Sequence, residues 1–341
     1  MIENLLRPLF LARLAVGASS ALLVLYGAKV GLEVLRGASL ALGSEERIRL
    51  ERRAELAATL VQVALAGAVA GAFLLALAAD RAHSSIRGAM CAYGVLGSTR
   101  AGFAAVGTSL AVSVLAGAWL ALHRLDLALP DPRLTRTKFL ALLAIAPVVL
   151  LDLATFVRFV LELDFSVIAS CCSVGLDSAS GATRDGAERL SIPIFPLATV
   201  ALATAALAMA ALAKRRTRLV AFVAAASGLV GSALSLPTIV EIVAPHVYES
   251  PSHRCPFCLL HAEAWGIGWP LFGAVVGSAI ASLAVLVVEL ERKTAGAEVE
   301  AAEARLGRFG AMALFAVLAL CLVPIVRYRL VTGTFLPGVF S

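Results

Sequence analysis

The chain has 341 residues, 60% of them hydrophobic and only 15% charged, with a formal net charge of +6 and a mean hydropathy of +0.91. A soluble domain is nearer about 45–50% apolar and about 25% charged, so a soluble enzyme, a secreted disulfide scaffold and a disordered chain are excluded. Continuous Ala/Leu-rich runs, rather than alternation every second residue, also exclude a transmembrane β-barrel.

The expected fold is all-α and polytopic, with eight membrane-crossing helices near residues 8–32, 55–79, 102–123, 139–162, 192–213, 219–243, 267–289 and 309–327. Each run is long enough to cross ~30 Å of hydrocarbon. Residues 1–15 hold no compact apolar stretch followed by a small-residue cleavage site, so the first segment is expected to stay as a span. Net positive charge in a soluble protein would suggest nucleic acid. Here the basic residues sit in short loops, so membrane lipid is the expected surrounding and no nucleic-acid partner is expected.

The loop after the first span carries Arg36, Arg47, Arg49, Arg52 and Arg53, and the loop after the third carries Arg124, Arg133, Arg136 and Lys138. Lys214, Arg215, Arg216 and Arg218 follow the fifth span, and Arg292, Lys293, Arg305 and Arg308 follow the seventh. These seventeen face nine on the other side: Arg7, Arg81, Arg87, Arg100, Arg184, Arg189, Arg254, Arg327 and Arg329. The positive-inside rule puts the richer side in the cytoplasm. The protein is therefore expected in a bacterial inner membrane with both termini periplasmic.

The G-x-x-x-G stretches at Gly67/Gly71 and Gly273/Gly277 let backbones approach closely and are expected to pack within the bundle. Residues 295–308 read as a helical cytoplasmic connector. Lys29 and Glu33 are spaced for a structural i,i+4 pair.

On this topology Cys91, Cys171, Cys172, Cys255 and Cys258 lie in outside loops or helix mouths, and Cys321 lies towards the outer end of the last span. That compartment permits disulfides. The most informative motif is Cys255-Pro256-Phe257-Cys258, at the mouth of the seventh span. Two cysteines at this spacing can close and reopen a small ring, and a helix N-terminus favours thiolate. A lower thiol pKa also makes a better leaving group in exchange. The motif is open to three readings: thiol redox, metal binding and an inert disulfide.

For metal, His253, Cys255, Cys258 and His261 offer four ligands within nine residues, and Cys171 and Cys172 could add thiolates. That donor set suits copper(I) or zinc. One helix does not easily present all four inward. His246 and His83 read as solvated loop residues, and His123 as a packing residue.

Adjacent Cys171 and Cys172, in Ala169-Ser170-Cys171-Cys172-Ser173-Val174, pair with each other only through a strained ring, so pairing elsewhere or metal ligation is expected. Their loop, taken as residues 164–191, contains Gly175, Gly181 and Gly186 and is expected to swing. Cys91, next to Tyr93 in a compact loop, could pair with Cys321 by even-number arithmetic.

Cys171-Cys172-Ser173-Val174 followed by Ser178, then Ser191-Ile192-Pro193, residues 238–241 and Cys255-Pro256-Phe257-Cys258-Leu259-Leu260 resemble, in that order, the vitamin K epoxide reductase family of bacterial type. The resemblance covers roughly residues 139–290. It implies a four-helix bundle over the fourth to seventh spans, preceded by a three-helix segment (1–138) and followed by a connector and last helix (291–341). It further implies a membrane thiol–disulfide oxidoreductase that passes electrons from periplasmic thiols to quinone. Cys258 would face the quinone, and Cys255 would exchange with Cys171 or Cys172. Those two would take electrons from a thioredoxin-like or other thiol protein. The family's loop cysteines are spaced apart, however, whereas these are adjacent, and Ser191 stands where glycine is expected.

Charged residues within spans are costly and often mark sites. Asp152, Arg158 and Glu162 fall in the fourth span, with Arg158 and Glu162 spaced for a buried ion pair. Arg158, Glu162 and Glu241 are the candidates to flank a quinone head group, and Glu263 reads as a water-facing acid. The alternative function, from a different class, is a non-enzymatic metal-handling or assembly factor for periplasmic metalloproteins.

Overall fold

The computed structural model of the chain describes residues 7–37, 44–129, 134–166, 181–214, 217–251, 253–292 and 297–336, with 181–193 and 297–298 as backbone only. Cys171, Cys172 and Ser178 lie outside the described residues. In chain order the helices are α1 (Pro8–Arg36), α2 (Glu45–Ala82), α3 (Ala92–Gly97), α4 (Gly102–Ala128), α5 (Thr135–Glu162), α6 (Gly181–Leu212), α7 (Arg218–Thr238), α8 (Ala244–Tyr248), α9 (Gly268–Leu290) and α10 (Ala297–Thr332). No strand occurs among the described residues.

Among the described residues, eight helical segments are long and apolar enough to cross a membrane, and they coincide with the eight expected runs. The protein is an all-α, multi-pass membrane protein. Helices form here because a chain in hydrocarbon must satisfy every backbone N–H and C=O internally. Several exceed the expected ends. α2 has 38 residues, about 57 Å at 1.5 Å per residue, and projects its Arg-rich first turns beyond the apolar run. The supposed connector at 295–308 has no break before the last span; α10 is continuous from Ala297. Helical backbone begins at Gly181, so the loop expected over 164–191 is shorter than its glycines suggested. The segment Gly181-Ala-Thr-Arg-Asp-Gly-Ala-Glu-Arg-Leu is rich in helix formers that outweigh two glycines.

The chain divides into two compact units: one of Met1–Ala78, Thr99–Asp164 and Val287–Ala302, the other of Ala79–Ser98, Phe165–Leu286 and Glu303–Ser341. The sequence reading drew its first boundary at 138/139; this division keeps α5 with α1, α2 and α4.

In the first unit α5 packs against both α1 and α4, around Val24, Val61, Leu65, Trp119, Phe139 and Leu142. Lipid tails are as apolar as these side chains, so close approach and polar contacts must hold the helices together. Gly31 lies against the Phe139 ring, where a Cβ would come within 3.0 Å, and Gly67 faces Ser20 of α1. The polar centre is Arg13, fully buried, whose Nη2 donates to Asp152 at 2.5 Å and to Ser109 at 3.3 Å. Ser109 in turn donates to the second Asp152 oxygen at 2.5 Å. Gly17 and Gly71 leave the space that this guanidinium fills.

Asp152 thus pairs with Arg13 of α1. Arg158 and Glu162 do form the expected ion pair at 2.7 Å, but it is not buried: the Arg158 side chain is 65% exposed. Glu162 also accepts the Ala101 N–H at 3.0 Å, which ties the end of α5 to the start of α4. Glu33 reaches Arg53 at 3.9 Å across α1 and α2, so the pair expected with Lys29 gives way to an interhelical contact. His123 is buried and stacked on Trp119 at 5.1 Å, a packing residue as expected.

In the second unit α6 packs along α7, and the core gathers Met209, Leu212, Leu271, Val285, Leu314, Val317 and Cys321. Gly231 abuts the Leu202 backbone, and Ser232 and Ser278 bond across α7 and α9 at 2.7 Å. Gly277 packs on Phe309 of α10, so half of that small-residue motif is internal packing, whereas a Cβ on Gly273 would meet open space.

Candidate functional site

The segment joining α8 to α9 is shaped at both ends by left-handed residues, Glu249 (φ 54) and Trp265 (φ 54), the latter followed by Gly266 (φ 61). Non-glycine residues adopt this conformation only at a cost, so surrounding contacts must hold them. Glu249 receives Arg327 at 3.3 Å, and the same guanidinium lies 4.8 Å over the Trp265 ring. Upstream, Pro237 and Pro245 bracket one π-helical turn, Ile239–Val243. Proline removes a backbone donor and crowds the carbonyl four residues earlier, and a widened turn relieves that crowding. This turn carries Glu241, which pairs with Arg254 at 3.1 Å, directly before Cys255.

Between these anchors, Phe257–Leu260 makes one short 3₁₀ turn. Its carbonyls are satisfied by tertiary donors: Tyr248 O–H to Cys258 C=O at 2.8 Å and Trp269 Nε1–H to Leu260 C=O at 3.0 Å. Gly268 comes so close that a Cβ there would sit 2.8 Å from the Leu259 carbonyl carbon and 2.9 Å from its oxygen. The CPFC turn is therefore fixed by Tyr248, Trp269 and the absence of a side chain at 268.

The third participant is Cys91, which has extended backbone and immediately precedes the six-residue α3. Its Sγ lies 3.1 Å from Cys255 Sγ, and the sulfurs of Cys91, Cys255 and Cys258 all fall within 4.8 Å of one another. No disulfide joins the described cysteines. The cluster is sealed, with Cys91 and Cys255 fully buried and Cys258 7% exposed; Tyr93, Tyr248 and Phe257 pack around it. The Cys255 and Cys258 thiols beside it hold Cys91 far below the usual thiol range, against the opposing effect of burial, and the Tyr93 and Gly94 amides contribute less.

His253 stacks on Tyr248 with ring centroids 3.9 Å apart, and its Nε2 is buried without a hydrogen-bond partner. Burial pushes its pKa below the ordinary imidazole value, with the charge on Cys91 opposing, so the ring keeps a lone pair for a ligand. His261 goes elsewhere: its Nε2 bonds Asp80 at 2.8 Å. Spacing alone had grouped it with CPFC, but the 3₁₀ turn points it to the end of α2.

Cys91 is displaced from the pairing expected with Cys321, which is buried in the helical core and packs in a different cluster. His246 is fully buried, bonds the Ile242 carbonyl at 2.7 Å and meets the Tyr328 ring, contrary to its reading as solvated. His83 is tied to the Asp80 carbonyl and is partly buried. Arg158 and Glu162 belong to the first unit and the three thiols to the second. Cysteine position was the signal that could have found Cys91: span alternation places its loop and the CPFC loop on one side.

Comparison with protein-family models, curated proteins and solved structures finds no match to this chain.

Proposed function

We propose that this chain is a membrane-embedded metal-handling protein whose Cys91, Cys255 and Cys258 bind one thiophilic ion, copper(I) or zinc, with His253 as the fourth ligand. The observation that carries this reading is the convergence of three buried sulfurs within 4.8 Å of one another. Two thiolates bound to one ion at about 2.3 Å can be at most about 4.6 Å apart, so small adjustments suffice. Soft thiolates select copper(I) and zinc over hard cations, and the lowered pKa of Cys91 makes loss of its proton to an incoming ion easier. The arginine-rich loops support an inner-membrane location with the thiols and both termini on the periplasmic side. Supply to periplasmic metalloproteins is the corresponding role. The test is metal analysis and sulfur-edge or metal-edge absorption on protein purified in detergent under reducing conditions. One ion per chain with sulfur ligation is expected; fully reduced thiols with no ion after incubation in copper(I) or zinc overturn it.

A second reading is a thiol–disulfide oxidoreductase using quinone, favoured by the 3.1 Å separation of Cys91 and Cys255. In it Cys91, rather than Cys171 or Cys172, is the relay thiol. Attack of the Cys91 thiolate on a Cys255–Cys258 disulfide forms Cys91–Cys255 and releases Cys258 as thiolate. A periplasmic thiol protein would reduce the disulfide, and its re-formation would pass two electrons and two protons to quinone, giving hydroquinone. Glu241, paired with Arg254 beside Cys255, would serve the quinone. The sealed cluster ranks this second, because exchange with a partner thiol requires access. A Cys255–Cys258 disulfide that forms only when quinone is added would put this reading first.

A further inference from the structure

Cys91 Sγ and Cys255 Sγ are 3.1 Å apart, and a disulfide needs about 2.05 Å, so about 1 Å of approach closes the pair. Both residues belong to the second compact unit, and neither is locked in regular structure. Cys91 has extended backbone ahead of α3, and Cys255 lies ahead of the 3₁₀ turn that begins at Phe257. Cys258 is inside that turn. Its carbonyl accepts from Tyr248 O–H at 2.8 Å and from the His261 N–H at 3.1 Å. Cys91 and Cys255 can therefore bond to each other while Cys258 keeps its place. Access is the remaining condition. Cys91 and Cys255 are fully buried and Cys258 is 7% exposed, with Tyr93, Tyr248 and Phe257 packed around them. Reaction at a thiol requires access, and this seal shuts out a protein or glutathione disulfide. An oxidant little larger than water, hydrogen peroxide, meets the limit.

We propose that hydrogen peroxide converts Cys91 and Cys255 to a reversible disulfide, and that closing this bond expels the ion from the thiol cluster. The release half rests on the metal reading of the thiols; the disulfide half does not. One thiolate of the pair attacks the peroxide O–O bond, becomes a sulfenic acid and releases hydroxide. The other, 3.1 Å away, attacks that sulfur, forms the S–S bond and releases a second hydroxide. Two thiolates and one peroxide thus become one disulfide and two hydroxides. The sulfurs lose two electrons and the peroxide oxygens gain them. A closed zinc site holds four ligands, and the bond withdraws two of them, leaving Cys258 and His253. A dithiol reductant returns both thiolates and restores the site. The cluster holds its ion under reducing conditions and surrenders it under oxidising ones.

The experiment uses the full chain in detergent, loaded with zinc and freed of excess. Hydrogen peroxide should release zinc to a chromogenic chelator, one ion per disulfide formed. Peptide mass spectrometry without reduction should find Cys91 linked to Cys255, and dithiothreitol followed by zinc should restore binding. A Cys255–Cys258 link, or sulfinic acid in place of a disulfide, overturns the pair. Oxidised glutathione at the same concentration should act at least tenfold more slowly, and equal rates overturn the selection by size. Metal-free protein is treated in parallel. There Cys91→Ser should slow entry of Cys255 into any disulfide at least tenfold, and an unchanged rate overturns the role of Cys91. Cys321→Ser, whose thiol lies in a separate cluster, should react as wild type does. A Cys91–Cys255 link in a chain that never takes zinc would refute the metal reading and leave the disulfide standing. Zinc that binds and stays through peroxide treatment overturns the release and leaves the metal reading standing. The peptide map of wild-type protein decides the pair without recourse to any variant.

Discussion

Cys91 and Cys255, 164 positions apart in sequence, bring their sulfurs to 3.1 Å inside a sealed pocket of aromatic rings. Neither is near the other through local structure: one precedes α3 and the other lies in the α8–α9 connection. The contact therefore depends on the tertiary fold of the second unit, and it puts Cys91 beside CPFC in the proposed site.

Cys91→Ser should abolish metal retention while Cys321→Ser leaves it intact. Loss of an outer-shell partner commonly weakens metal affinity by about 10–100-fold, and loss of a direct thiolate should exceed that. Metal content after gel filtration in the presence of a competing chelator checks this. Retention by Cys91→Ser equal to wild type would remove Cys91 from the site.

The Cys91 thiolate also makes stability depend on pH. Its folded pKa is lowered, so the unfolded chain binds the proton more readily than the folded one. Its contribution is complete above the unfolded value, about 8.5, and is lost as pH falls through the lowered folded value. Thermal melts of metal-free protein from about pH 9 to about pH 5 should show falling stability, with a shallower decline in Cys91→Ser. Parallel declines would show that other groups carry the effect.

Gly268→Ala should loosen the CPFC turn, because the new methyl would collide with the Leu259 backbone, which cannot rotate away. Overpacking of this kind costs about 1–3 kcal/mol. A lower melting temperature with weakened metal binding is expected. Gly273→Ala, whose Cβ meets open space, serves as the matched control and should change neither.

In the first unit, Asp152→Ala should be severely destabilising, since it strands a fully buried guanidinium with Ser109 as its remaining partner. Breaking a buried pair from one side costs about 3–5 kcal/mol, whereas replacing both partners with apolar residues is often neutral. Arg13→Met combined with Asp152→Leu should therefore recover much of the loss. Unfolding in detergent, read by circular dichroism, decides between additive and compensating behaviour.

The spans were legible because a bilayer demands unbroken apolar runs, and the eight helices follow those runs closely. Side-chain partnerships were not. Asp152 and Arg158 looked alike on paper, yet one side chain faces Arg13 and the other is largely exposed; the rotation of α5 against α1 decides which, and no local pattern encodes it. His253 and His261 both flank CPFC, but a single 3₁₀ turn sends one to Tyr248 and the other to Asp80. Cys91 lacked any spacing cue because its partners come from a different loop, and parity arithmetic wrongly offered Cys321.

The Arg13–Asp152 pair has a consequence for biosynthesis. Asp152 is made 139 residues after Arg13, an interval of roughly 7–28 s at about 5–20 residues per second. Throughout it the first helix carries a charge without its partner, which costs up to about 2.5–3.5 kcal/mol at the centre of a bilayer. A chain truncated before α5 would thus keep a helix whose buried arginine never acquires its counter-ion.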